Sequence, residues 1–395
     1  MTGCTRKAAG PRVVIATLGL LQILAWGSTF YILSVLGQPI AKDTGWPLAG
    51  VVGGLTLALL VAGGISPQVG RVIGARGGRL VLAASSILLA AGLTALAAAP
   101  TFAVYLMAWC LIGAGMGAGL YDPAFSTLGH LYGHAASRMI TAVTLFGGFA
   151  STLSWPVTAL LLDHFGWRMT CAAYACAHLA VGLPAYLVLL PRAASAAKGR
   201  SATASSAGSE LPYHRQPRAE LMLVAILTIS ATTLSLISMH LLGLLQARGL
   251  DLATAVAFGA IVGPSQVVAR LAEMAFGRRH HPIFAMLAGV ILVAVGILLL
   301  WGGWPILAVA LVAYGAGNGI SSIVRGTVPL VLFGPDRYPQ LMGKLGRPIL
   351  LAMALAPAVG ALLIQQGGAT LTFGALAVLS LVNVGLVLSL MRLCF

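Results

Sequence analysis

The chain has 395 residues, of which 59% are hydrophobic and 8% charged, against about 25% charged in soluble domains. That is too few charges to cover a soluble fold of this length, and apolar stretches recur at the roughly 20 residues a membrane-spanning helix needs. The formal charge of +15 suggests nucleic acid only if its placement is ignored, because nearly all of the basic residues fall in loops on one side of the predicted membrane.

Hydropathy predicts an all-α membrane protein of about twelve transmembrane segments. In the first half they fall near 13–40, 47–69, 80–99, 102–131, 139–162 and 168–190. A polar break over 192–218, rich in Ser, Ala, Gly and Arg, cannot form a packed core and reads as a solvated linker. The second half repeats the pattern near 220–247, 252–275, 282–301, 305–333, 343–366 and 369–392. The expected organisation is a bundle over 1–191, a cytoplasmic linker and a second bundle over 219–395. Strands are not indicated, because barrel segments alternate apolar and polar over about ten residues. The basic start, Met1 to Arg12, precedes an apolar run too long for a signal-peptide core.

Lys and Arg set the orientation. One side collects Arg12, Arg71, Arg76, Arg79, Arg138, the linker residues, Arg270, Arg278, Lys344 and Arg392, while the other keeps Lys42, Arg168 and Arg248. Both termini are therefore expected on the cytoplasmic side. The five cysteines lie at the termini or within apolar segments and show no CxxC spacing, so neither a disulfide framework nor a zinc site is supported. Cys171 and Cys176 read as small helix filler, with a soft metal or metalloid as the rival use.

Two stretches organise each half. The first runs Gly113-Ala-Gly115-Met-Gly117-Ala-Gly119-Leu-Tyr121-Asp122-Pro123, and the second Gly315-Ala-Gly317-Asn318-Gly319 and on to Arg325. They start 202 residues apart, about half the chain, which is the scale of an internal transporter repeat. Glycine lets helices approach closely, and each run leads to a charge that lipid would not tolerate. They are not phosphate loops, because they lie inside spans rather than after a strand.

A second repeat agrees. Gly70-Arg71 leads to Gly78-Arg79 after segment 2, and Arg270 with Glu273 leads to Gly277-Arg278 after segment 8; Arg71 and Arg270, Gly78 and Gly277, and Arg79 and Arg278 are each 199 residues apart. At this point the sequence resembles the major facilitator superfamily over essentially its whole length. That family's loop signature has Gly-Arg, then an acid, then Gly with Arg. Gly74 replaces the acid in the first copy, and Glu273 retains it in the second. The resemblance implies that this acid latches the bundles on the cytoplasmic side, so its loss shifts weight to Glu273. The drug–proton antiporter branch carries an arginine where Trp109 stands, and its helix 5 Gly-Pro is represented only by Trp155-Pro156. A multidrug antiporter is thus disfavoured. Gly45-Trp46 and Ser66-Pro67-Gln68 lean toward the organic-anion and monocarboxylate side.

The resemblance further implies that helices 1, 4, 7 and 10 line a central cavity. Their polar candidates are Gln22, Trp26 and Tyr31; Tyr121 and Asp122; His240; and Asn318 with Arg325 seven residues on. Asp122 and Arg325 are the acid and base well inside the predicted spans, each about 20 residues or roughly 30 Å from the outer side. A charge at mid-bilayer costs about 2.5–3.5 kcal/mol on insertion scales, so such residues normally face a cavity or a partner. Three readings stay open: a salt bridge closing an inner gate, a substrate-binding Arg325 with a titrating Asp122, or separate neutralisation, for example Asp122 with Arg138. His240 reads first as a helix-packing histidine and second as a proton carrier.

The expectation is a secondary active transporter of a small organic anion or polar zwitterion, working by alternating access and coupled to protons. The alternatives are an exporter of toxic molecules or metalloids, and a transport-inactive receptor or scaffold. No Walker motif is present in the sequence, and no enzymatic cluster, cofactor or metal is expected. The expected partners are the solute, protons and lipid, with no nucleic acid, in a monomer of the bacterial inner membrane.

Overall fold

The structure is a computed structural model and describes residues 10–192, 211–277, 280–303 and 306–395. Within them the chain is helical throughout, with no strand among the described residues. Most of the linker, 193–210, lies outside the described residues, as do Arg278 and Arg279.

The first half contains α1 (Pro11–Gly27), α2 (Leu33–Thr44), α3 (Leu48–Arg76), α4 (Arg79–Ala97), α5 (Phe102–Gly119), α6 (Tyr121–Tyr132), α7 (Ala136–Gly148), α8 (Ala150–Ala177) and α9 (Leu183–Leu189). The second contains α10 (Gln216–Gln246), α11 (Leu252–Gly259), α12 (Val262–Phe276), α13 (Pro282–Gly302) and the long run α14 (Leu307–Cys394). Among the described residues, seven apolar helical runs are long enough to cross a membrane, and two of them, Phe102–Leu189 and Leu307–Cys394, are 88 residues each. Such runs leave room for the expected twelve spans. The eight glycines with positive φ among the described residues, Gly166, Gly334 and Gly368 included, all fall in gaps between predicted segments. Only glycine adopts that backbone without strain, so Gly133, Gly166, Gly334 and Gly368 are where the two long runs turn.

Contacts divide the chain into two units: Met1–Gly208 with Gly334–Lys344, and Ser209–Phe333 with Leu345–Phe395. Within the first unit, a Cβ added to Gly70 would lie 2.9 Å from Gly343 Cα, and one on Gly133 would lie 3.9 Å from Pro335. The second unit is centred on Leu236, Leu244, Ile297, Leu311, Tyr314, Phe373 and Leu376, all nearly free of solvent contact.

The glycine runs pack the same way in both units. A Cβ on Gly113 would lie 2.7 Å from Ala58 Cα of α3, and one on Gly115 would lie 3.0 Å from Leu89 N of α4. A Cβ on Gly315 would lie 2.7 Å from Val262 O of α12, and one on Gly317 would lie 2.7 Å from Val293 N of α13. Real Cβ atoms do not come that near backbone, so glycine is what lets each pair of helices touch.

Candidate functional site

In the first unit the predicted site residues gather at a helix break. The predicted segment 102–131 is interrupted at Leu120, whose backbone is extended (φ −76°, ψ −158°). The cause is Pro123, which has no N–H to give the carbonyl four residues back, that of Gly119. Gln22 of α1 takes over that role: its Nε2 donates to Gly119 O at 2.8 Å. The Trp26 indole N–H then donates to Gln22 Oε1 at 3.2 Å. Gln22 is fully buried, so the residue expected to face a cavity has both ends of its amide engaged in holding the break.

Around the break stands a group of rings. Trp26 lies 5.1 Å from Tyr121 and 6.2 Å from Tyr31, centroid to centroid. Tyr31 meets Trp155 edge-on at 6.2 Å, and Tyr121 stacks on Phe125 at 5.1 Å. A side chain on Gly147 would collide with the Tyr121 ring, whose Cζ would be 2.7 Å from the new Cβ. Asp122 follows in the first turn of α6 and is 8% exposed. An acid there is favoured by the partial positive charge of a helix N-terminus. Four predicted residues, Gln22, Trp26, Tyr31 and Tyr121, are thus neighbours. Phe30, which packs 5.5 Å from Trp26, and Gly147 were missed; neither carries a polar signal.

In the second unit, His240 pairs through Nε2 with Pro357 O at 2.8 Å, and a Cβ on Gly360 would meet its ring at 2.7 Å. That is the helix-packing arrangement. Asn318 donates to Tyr314 O at 3.0 Å and lines a small cavity with Ser230, Thr233, Ser321, Ser380 and Asn383. Ser380 and Asn383 were missed because they lie on the twelfth predicted segment, outside the helices searched. Arg325 is half-buried on the same helical run as Asn318.

The two loop-signature copies differ. Arg71 is exposed, whereas its counterpart Arg270 is 6% exposed. Arg270 donates from Nε to Gly319 O at 3.4 Å and from Nη2 to Gln266 Oε1 at 3.3 Å, bonding to the second glycine run. A Cβ on Gly78 would lie 2.6 Å from Thr127 Cβ, and Arg79 donates to the Leu187 carbonyl. The Glu273 carboxyl folds over Gly277. Arg278 lies outside the described residues. Among the described residues no three His, Cys, Asp or Glu side chains gather as a metal site would require.

Apolar helices of spanning length and glycine-packed helix pairs in both units are what a polytopic membrane protein requires. The sequence matches the Major Facilitator Superfamily over residues 18–285, and the chain belongs to that family. Among curated proteins no match reaches significance. Solved structures with the same fold include the human organic anion transporter MFSD10, at 17% identity and TM-score 0.70, covering 95% of this chain and 99% of that one. The transporter FucP in an outward conformation matches at 14% identity and TM-score 0.69, covering 95% and 98%. The proton:xylose symporter XylE bound to a glucose derivative matches at 13% identity and TM-score 0.66, covering 95% and 94%. The protein is therefore an integral membrane secondary transporter of small solutes rather than an enzyme.

Proposed function

We propose that the protein moves a small organic anion or polar zwitterion by alternating access, coupled to protons. The observation that carries this reading is one acid and one base, Asp122 and Arg325, on repeat-related helices where lipid would tolerate neither. Arg325 presents the planar fork that matches a carboxylate. Asp122 is the proton carrier, and when substrate is absent the two charges close an inner gate. The anion transport named for MFSD10 supports the same solute class. The transporter works as a monomer in a bacterial inner membrane, with bundles over 1–191 and 219–395, a 192–218 linker and both termini cytoplasmic. Glu273 supplies the cytoplasmic latch that Gly74 cannot.

Proteoliposome flux tests the coupling. Asp122→Asn should abolish accumulation driven by a pH gradient while leaving substrate exchange at equal pH. Full gradient-driven accumulation by Asp122→Asn removes Asp122 from the coupling role. The charge swap Asp122→Arg with Arg325→Asp should recover transport lost in each single variant; a double variant no better than either single one ends the gate reading.

A further inference from the structure

Three stretches of the second unit each bring a polar pair, three residues apart, to one small cavity: Ser230 and Thr233 on α10, and Asn318 with Ser321 and Ser380 with Asn383 on α14. Val290 and Val293 of α13, again three apart, form the apolar wall. Residues at this spacing share a helix face, so the sequence aims all four pairs at one place. Ser230 sits midway along the 31-residue α10, where lipid surrounds the bundle and polar groups are retained for use. The cavity's volume is about 10 Å³, room for about one water or one small ion.

The hydrogen-bond inventory says what that occupant must supply. The hydroxyls of Ser230, Ser321 and Ser380 give their protons to Ile226 O at 2.9 Å, Gly317 O at 2.8 Å and Leu376 O at 2.7 Å, each four residues back. Asn383 Nδ2 donates to Ser230 Oγ at 2.9 Å, and Asn318 Nδ2 donates to Tyr314 O at 3.0 Å. With those donors spent, most of what these residues have left to offer the cavity is oxygen lone pairs. Asn383, 5% exposed, has an Oδ1 with no donor among the described residues, and a buried acceptor left so is destabilising. The remaining donors are the Thr233 hydroxyl and the second amide hydrogens of the two asparagines.

An acceptor-rich cage of neutral oxygens suits a hard cation. No carboxylate lines it, so the double charge of a divalent ion would go uncompensated at this depth. We propose that Ser230, Thr233, Asn318, Ser321, Ser380 and Asn383 bind one monovalent metal ion of sodium's size. The ion joins the helices carrying these pairs, and the site is distinct from Asp122 and Arg325, so it stands or falls independently of the transport reading above.

The test uses the purified full-length protein without substrate. Thermal unfolding is followed while NaCl replaces choline chloride at constant ionic strength, with KCl and CaCl2 as further titrants, and 22Na+ binding is counted in parallel. At a sodium concentration ten times Kd the folded-to-unfolded ratio rises about elevenfold, a saturable upward shift of a few degrees in Tm. Sodium should give the largest shift. Asn383→Leu should abolish both the shift and 22Na+ binding. Asn383→Asp should bind sodium more tightly and gain a calcium response, and it keeps the question open to test if the leucine variant does not fold. A Tm indifferent to sodium together with no bound 22Na+, in wild type and Asn383→Asp alike, overturns the proposal and leaves the cage with a water only.

Discussion

The two glycine runs begin as copies and end as opposites. Gly113, Gly115 and Gly117 pack α5 onto α3 and α4 as Gly315, Gly317 and Gly319 pack their helix onto α12 and α13. At the register of Pro123 in the first run, the second has Arg325, 202 residues on. Proline breaks the first helix at Leu120, frees the Gly119 carbonyl and recruits Gln22. Arginine keeps its backbone N–H, and the second helix runs on through Arg325 as far as the turn at Gly334. One substitution within a shared packing scheme thus decides which half gains a helix N-terminus beside an acid and which gains a half-buried base.

Breaking the shared part has the largest expected effect. Gly115→Leu and Gly317→Leu each push a side chain into a neighbouring backbone, a destabilisation of about 1–3 kcal/mol or more. Loss of monodisperse protein in size-exclusion chromatography should follow for both, and a variant with unchanged elution and Tm would end the claim that the runs are equivalent. Next is the part that differs. Gln22→Leu leaves the Gly119 carbonyl unsatisfied, at about 1–3 kcal/mol. Pro123→Ala restores the missing N–H, so the Gln22→Leu penalty should shrink in that background. Thermal unfolding of the two single variants and the double measures this coupling; strict additivity would sever Gln22 from the break.

The smallest effects lie at the loops that carry Asp43 and Asp251, where the halves again solve one problem differently. Asp43 is held below its ordinary value of 3.8, first by the Trp167 indole N–H and then by Arg168. Asp251 is held low chiefly by Thr254, whose backbone N–H it caps at 3.1 Å. A lowered native value means that each carboxylate contributes stability above its ordinary value and loses it as pH falls through the lower native one. Both are exposed and screened, so Asp43→Asn and Asp251→Asn should cost little near neutrality, with the gap from wild type constant there and closing below about pH 4. A gap that widens on acidification would show that these bonds favour the protonated acid.

Segment positions were legible because hydropathy and glycine act locally: Gly166, Gly334 and Gly368 turn the chain where the apolar runs pause. Of the site, Trp26, Tyr31 and Tyr121 were legible as aromatic or polar groups on the helices expected to line a cavity. The use of Gln22 was not, since its partner is a carbonyl 97 residues away, orphaned by a proline in another segment. Nor was the cavity that Asn318 shares with Asn383, whose segment carries no charge before Arg392 at its end.

By itself the sequence determined membrane residence, the doubled helical plan and the family, because each follows from composition and from spacing repeated along the chain. Tertiary structure decided which polar side chains are already occupied and which turn acceptors into a shared space. Hydrogen bonding is a pairwise property of atoms brought within about 3 Å, and no single segment states its partner.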